Sequence, residues 1–318
     1  MATEEKKNEM LERAYVTLLS SNDFIPGLVA MLFSYNMVRN PNIPMIVMVT
    51  PDITEINRNI ISKAYGAIVL EVEPITLPDS TNTKRYLIPH QRKSVHTAMT
   101  KFRLFTLDGV KKVVFVDGDM VFLQNTDELF DCPPFSFVED TSSSRNSFNS
   151  GLYVAEPNMD TFNTFIKILY DNYYEKDYDV IDDQSVLDIY LPDWAKQEEL
   201  HLSMIYNYQI YECLYTHGPE MLLALPSKVK ILHMMGLSKP WITPFYQYFL
   251  YNGGYTTTAF MEYYVELING CIYRLAEAGY TSPNLELIHL SNDFPDVAGA
   301  RYPKSFSAFN IDKFKKEE

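Results

Sequence analysis

Apolar residues in this chain come in short runs, cut by polar, proline or glycine breaks, and the runs alternate between strand-like and helix-like spacing. The central one is Lys111 to Leu123, KKVVFVDGDMVFL. Its β-branched stretch Val113 to Val116 predicts a strand buried on both faces. The run breaks at Asp117, Gly118 and Asp119 and resumes from Met120 to Leu123. Gly118 lets the backbone turn without a Cβ clash, so both acids can face one spot instead of opposite faces of a pleat.

Upstream, Ala14 to Leu19 predicts a first strand that empties into the polar turn Ser20 to Phe24. Pro26 and Gly27 then open a helix to about Val38. Pro44 to Thr50 predicts a second strand, Thr54 to about Tyr65 a helix, and Ala67 to Val72 a third strand. This alternation implies a parallel, right-handed, doubly wound sheet, which binds ligands beyond the carboxyl ends of its strands. Residues 73–91 form the first long irregular segment, and a helix over Ser94 to Leu107 carries Lys101 and Arg103 into the central strand.

Downstream come a short apolar run at Asp131 to Val138 and a polar loop at 139–147. Phe148, Asn149, Ser150 and Gly151 then lead into a strand at Leu152 to Ala155. An amphipathic helix over Met159 to Tyr174 precedes the acidic stretch that ends in Asp182, Asp183 and Gln184, and a helix follows over Ser185 to Tyr190. Val229 to Leu232 is a last short strand, with His233 at its end. Beyond Trp241 the chain turns aromatic, with an apolar helix over Phe260 to Gly279. The expected organisation is a charged, disordered lead at 1–12, one α/β sheet domain at 13–243, and a helical C-terminal extension at 244–318 packed on it.

Composition narrows the partners. A net charge of −14 argues against nucleic acid or an anionic membrane as the partner and leaves an anionic ligand dependent on a metal, Lys or Arg for local positive charge. The three cysteines, Cys132, Cys213 and Cys271, show no metal or redox spacing. No segment has the apolar length of a membrane span, and the first residues mix acids and bases where a signal peptide needs an apolar stretch, so a cytoplasmic protein is expected. The 23 Tyr and 19 Phe serve either as core or as sugar-stacking faces, and exposed aromatics in the C-terminal extension would suit a homodimer.

Asp117-Gly118-Asp119 at a strand end suits a hard cation such as Mg²⁺ or Mn²⁺, which takes one or two carboxylates and leaves its other positions to water and diphosphate. A solvated turn between two strands fits the same tripeptide. Asp182 and Asp183 fit either a ligand pocket or the first turn of the helix they precede. His233 fits either a metal ligand or a hydrogen-bonded core histidine, and Lys239, on a loop bounded by Gly236 and Pro240, fits a diphosphate contact.

Six segments in order resemble the family 8 retaining glycosyltransferases, in the branch of the glycogenins and galactinol synthases. They are AYVTLLSSNDF (Ala14 to Phe24), TKFR (Thr100 to Arg103), VFVDGD (Val114 to Asp119), FNSGLYV (Phe148 to Val154), DQ (Asp183, Gln184) and HMMGLSKPW (His233 to Trp241). The resemblance implies a GT-A fold with a mostly parallel mixed sheet, a UDP-hexose donor and Mn²⁺, with Mg²⁺ as an alternative ion. On it, Asp117, Asp119 and His233 would hold the metal. Leu18 and Ser21 would meet the uridine, with Phe24 stacked on the base. Arg92 and Lys101 would hold donor phosphate or sugar hydroxyls, Gly118 would lie along the donor, and Gly236 and Lys239 would cradle the diphosphate. Asn149, Ser150, Asp183 and Gln184 would line the sugar pocket, with Asp183 the nucleophile candidate and Gln184 and Lys239 beside the reacting centre.

The implied acceptor is a polyol, a glycan or a protein-linked sugar. Self-glycosylation is left open, because after Ile205-Tyr206-Asn207 the glycogenin tyrosine position holds Leu214, with Tyr215 one further on. Glu71 to Pro74 and Ser238 to Trp241 look closer to the galactinol synthases. Two other readings stand beside the transferase: a sugar-nucleotide hydrolase or nucleotidyltransferase, and a binding module that keeps the donor pocket without chemistry.

Overall fold

The structure is a computed structural model that describes residues 10–75, 97–140, 147–172, 183–209, 227–235, 239, 241 and 255–288. Arg92, Asp182, Leu214, Tyr215 and Gly236 lie outside these residues.

Strand β1 (Leu11–Leu19) runs through a one-turn 3₁₀ helix (Asn22–Phe24) into α1 (Ile25–Val38). Then follow β2 (Met45–Val49), α2 (Glu55–Asn59), which continues in a π-helical turn over Ile60–Ala64, and β3 (Ile68–Glu71). Strands β4 (Val110–Val116) and β5 (Met120–Phe122) flank the Asp-Gly-Asp turn. Next come β6 (Phe137–Glu139), β7 (Phe148–Ala155), α3 (Met159–Asn172), α4 (Asp183–Tyr190), β8 (His201–Leu202), β9 (Tyr208–Gln209), β10 (Ile231–His233) and α5 (Tyr255–Glu277).

Seven strands form one sheet in the order β3-β2-β1-β4-β7-β6-β8. Strands β3, β2, β1 and β4 are mutually parallel, β7 runs antiparallel to both β4 and β6, and β8 is parallel to β6. Alternation along the strands sends side chains into two cores, as a doubly wound sheet requires. Tyr15, Leu19, Val114 and Val116 face α1 and α5, whereas Ala14, Val16, Val113 and Phe115 face the other layer. Helix α1 is buried around most of its circumference because the sheet lies on one side of it and α5 on the other.

Several boundaries differ from the sequence reading. The lead ends before Glu12, because Leu11 already pairs with Val110 and its N–H donates to the Gly109 carbonyl at 2.7 Å. The segment before the central strand is mainly a 3₁₀ helix, Met99–Thr106, where a regular helix over Ser94 to Leu107 is expected. In that tighter coil residues three apart align, and Phe102 and Phe105 both pack on Phe165, at ring distances of 4.7 and 5.1 Å. Helix α5 ends before Gly279, whose φ of +82° turns the chain so that Tyr280 N–H reaches the Leu275 carbonyl at 2.8 Å.

A second sheet, which the sequence did not suggest, has the order β5-β10-β9. It positions the site. In the antiparallel β5–β10 pair His233 lies opposite Met120, and Met234 N–H donates to the Asp119 carbonyl at 3.0 Å.

Candidate active site

The carboxyl end of β4 is where the chemistry-bearing residues converge. Asp117 and Asp119 leave the sheet there, and the short β10 carries His233 to them. The Asp117 and Asp119 carboxylates and the His233 imidazole each offer an atom within 4.8 Å of the others. His233 Nε2 lies 3.4 Å from Asp119 Oδ1, and the imidazole is almost wholly buried.

Strand β7 enters antiparallel to β4, so its beginning lies at the end of β4. The Asp117 N–H donates to the Gly151 carbonyl at 2.8 Å, which sets Asn149, Ser150 and Gly151 beside the acids. Gly151 has no room for a side chain. A Cβ there would lie 2.5 Å from His233 Cε1, 2.9 Å from Asn149 Oδ1 and 3.0 Å from Asp117 Oδ2. Gly27, in the first turn of α1, is equally constrained: its Cβ would lie 2.6 Å from Trp241 Cη2 and 3.2 Å from the Gly118 carbonyl oxygen. Trp241 is therefore pressed against the helix start that follows Ser21 and Phe24, and it meets Phe24 edge-on at 6.0 Å.

Two lysines are buried in the cluster. Lys101 Nζ lies 2.6 Å from Asp183 Oδ2, 3.3 Å from Asp117 Oδ1 and 3.4 Å from the Ser150 carbonyl oxygen. Lys239 pairs with Asp119 Oδ2 and donates to the Met234 carbonyl at 2.8 Å. Burial pushes the Asp119 carboxyl up, but the Lys239 ammonium and His233 outweigh it and hold the group well below the usual carboxylate range. Asp183 is likewise lowered, because Lys101 and the Ser150 hydroxyl at 2.7 Å overcome its desolvation. Asp117 moves the other way: burial and the neighbouring Asp119 charge raise it despite Lys101. Three carboxylates thus face two ammonium groups, with the uncompensated charge resting on Asp117.

A divalent cation fits this arrangement. Two carboxylates and an imidazole form a donor set that suits a divalent cation, and the excess negative charge is on a candidate ligand. Gly151 supplies the clearance on one side of the cluster, where any side chain would fill the space between His233 and Asp117.

The structure brings together most of the residues singled out from sequence. Leu18 and Ser21 stand at the carboxyl end of β1, where the Ser21 hydroxyl caps the 3₁₀ helix by accepting from Asp23 N–H at 3.4 Å. Gln184 Oε1 accepts from Ser150 N–H at 2.8 Å while Nε2 donates to Asp188 at 3.1 Å, so its carboxamide braces β7 against α4. Lys101 spans two acids rather than standing apart from them. Two residues that sequence reasoning used only as motif members prove central: Gly151, and Asn207, whose Oδ1 lies 2.8 Å from His233 Nδ1. Nothing in the segment Ile205-Tyr206-Asn207-Tyr208 marks Asn207 for this role.

A mixed sheet of this order, with an acid pair and an imidazole at its carboxyl edge, is a glycosyltransferase architecture of the GT-A type. Its fold matches that of the galactosyltransferase LgtC solved with donor and acceptor sugar analogues, with a TM-score of 0.54 over 81% of this chain and 95% of that one at 15% identity. The chain belongs to glycosyl transferase family 8, whose profile it matches over residues 15–243. It is 30% identical over 234 residues to glycogenin-2 of Homo sapiens, covering 72% of this chain but only 44% of that relative. To galactinol synthase 1 of Arabidopsis thaliana it is 25% identical over 270 residues, 72% of each chain. No described helix is long and apolar enough to cross a membrane.

Proposed function

We propose that this chain is a Mn²⁺-dependent retaining glycosyltransferase that moves a hexose, glucose or galactose, from a UDP-sugar to a polyol, a glycan or a protein-linked sugar. The observation that carries the reading is the Asp117, Asp119 and His233 cluster at the carboxyl end of the central strand, in a family 8 chain. Both kinds of relative named above, a glycogenin and a galactinol synthase, support the choice of hexoses.

The protein's own residues divide the work. Asp117, Asp119 and His233 hold the ion, which when bound supplies positive charge against the diphosphate as it departs. Lys239, beyond β10, adds a second positive charge, and Gly236, outside the described residues, is assigned to the diphosphate from the sequence alone. Leu18, Ser21 and Phe24 receive the uridine at the start of α1, with Phe24 braced by Trp241. Arg92 contacts donor phosphate or sugar hydroxyls. Asp183 stays ionised because Lys101 and Ser150 hold it so. Retention uses that charge either as a nucleophile behind the anomeric carbon or as a counter-charge during same-face attack. Asn149 and Gln184 shape the sugar side of the pocket, and helix α5 of the C-terminal extension caps the domain by packing on α1.

The test is a donor panel. Purified protein with Mn²⁺ is offered UDP-glucose, UDP-galactose, UDP-xylose and UDP-N-acetylglucosamine, with inositol and oligosaccharides as acceptors, and released UDP is read. Turnover of UDP-glucose or UDP-galactose that depends on acceptor supports the proposal. Release of pyrophosphate, or UDP-hexose binding with no turnover against any acceptor, contradicts it.

A further inference from the structure

A chain of hydrogen bonds leads from a backbone amide to the His233 ring, and its polarity can be assigned from one end. The Gly151 N–H, which can only donate, lies 2.9 Å from Asn149 Oδ1, so that atom of the Asn149 carboxamide is the acceptor. The same oxygen lies 2.9 Å from Asn207 Nδ2, which fixes the amino side of the Asn207 carboxamide toward it. Asn207 therefore turns its oxygen to His233 Nδ1, at 2.8 Å, and an oxygen can only accept there. Nδ1 must carry the hydrogen. In the neutral ring Nε2 then keeps the lone pair, and this is the ring atom that faces Asp119.

Asn207 is fully buried and His233 nearly so, which keeps water from offering the ring a competing partner. A histidine that ligates a metal needs the coordinating nitrogen deprotonated and the ring held in one orientation, and a hydrogen bond to its other nitrogen does both.

We propose that Asn207 is the positioning residue for His233: through Asn149 and the Gly151 amide it locks the Nδ1–H tautomer and presents Nε2 to a divalent cation. The proposal deepens the metal assignment made above and rests on it for its consequence, but not for the tautomer itself. It also gives Asn149 and Gly151 a shared task, the one reading the polarity of the relay and the other fixing it. Asn207 acts from the Nδ1 side of the ring, opposite the nitrogen that faces Asp119.

Two readouts test it. The first is the ring ¹⁵N spectrum of wild-type protein labelled at histidine, with His233 assigned from a His233→Gln variant, at about pH 8, where an ordinary imidazole is neutral. The Nδ1–H form is expected, and the Nε2–H form overturns the proposal whatever any variant does. The second is the Mn²⁺ dissociation constant, followed by the electron paramagnetic resonance of free Mn²⁺, for wild type, Asn207→Leu, Asn207→Asp and His233→Ala. Asn207→Leu, which fills the space without an acceptor, is expected to weaken binding about 10–100-fold. Asn207→Asp keeps an acceptor for Nδ1–H but sets a carboxylate oxygen against Asn149 Oδ1, so it is expected to bind Mn²⁺ more weakly than wild type and more tightly than Asn207→Leu, which shows that the acceptor at Nδ1 matters. A folded Asn207→Leu protein that binds Mn²⁺ as wild type does overturns the proposal. If His233→Ala also leaves Mn²⁺ affinity unchanged, the metal assignment itself falls, and the tautomer spectrum still decides the relay.

Discussion

Lys101 Nζ stands 2.6 Å from Asp183 Oδ2, and the same ammonium reaches Asp117 Oδ1 at 3.3 Å, so one buried lysine ties the candidate metal ligand to the candidate sugar-side acid. Of the two acids Asp183 is the buried one, so it depends on the lysine most. Breaking one arm of such a pair leaves charge uncompensated in a dry site, which costs more than a surface ion pair would.

That bridge sets an acid sensitivity. The folded Asp183 carboxyl is held below its ordinary range, which for an unfolded chain is about 3.9. A depressed carboxylate contributes stability above the unfolded value and loses it as pH falls through the folded one, so the loss lies below about pH 4. In Asp183→Asn the urea midpoint at pH 7 should fall by an amount equivalent to about 1–3 kcal/mol, and the decline of stability in that acid window should become shallower. Chemical denaturation of both proteins from neutral pH down to about pH 3 measures it. A parallel pH dependence in the two would show that the pair contributes nothing.

Gly151 is required for space. Its absent Cβ would lie 2.5 Å from His233 Cε1 and 3.0 Å from Asp117 Oδ2. Gly151→Ala must push the imidazole and the carboxylate apart, with an overpacking cost of about 1–3 kcal/mol. The expected result is a folded protein with a lower melting temperature and with Mn²⁺ affinity reduced far more than its stability. Thermal melts with and without Mn²⁺ compare the two. Wild-type stabilisation by the ion in the alanine variant would show that the ligand cluster tolerates the methyl group.

Lys239 and a cation claim the same carboxylate. Its ammonium pairs with Asp119 Oδ2, and the Asp119 carboxyl is held low largely by it. In Lys239→Met that competitor is removed, so Mn²⁺ alone should bind more tightly. UDP in the presence of Mn²⁺ should bind about tenfold more weakly, equivalent to about 1.4 kcal/mol. Calorimetric titration of each ligand separates the two effects. Opposite signs are the signature, and a loss of both affinities would place Lys239 in a purely structural role.

The legible parts of this chain were those governed by side-chain periodicity. Val113 to Val116 declared a strand buried on both faces, and the break at Asp117 marked where it surfaces. Pro26 and Gly27 likewise marked the helix start. Strand direction was not legible: nothing in Phe148 to Ala155 distinguishes a parallel from an antiparallel strand, yet only the antiparallel course sets its first residues, Asn149 to Gly151, against the end of β4. The second sheet was hidden for another reason. Strands of three residues such as Met120–Phe122 and Ile231–His233 carry too few side chains to show alternation, so their pairing is decided by tertiary contact. His233 could be nominated from its strand-end position, whereas the partner that orients it could not. Asn207 has no periodic signature, and its role comes from where Oδ1 and Nδ2 point once the chain has folded.

The most direct measurement is the rate of UDP release from UDP-glucose and UDP-galactose, with Mn²⁺ and acceptor present, by wild type and by Asp119→Asn of matched melting temperature. A carboxylate that holds the ion against the departing diphosphate predicts a loss of about a hundredfold to a thousandfold in the variant. Equal rates in the two proteins would mean that the charge of the leaving group is met elsewhere, and that the Asp117, Asp119 and His233 cluster is not where the transfer takes place.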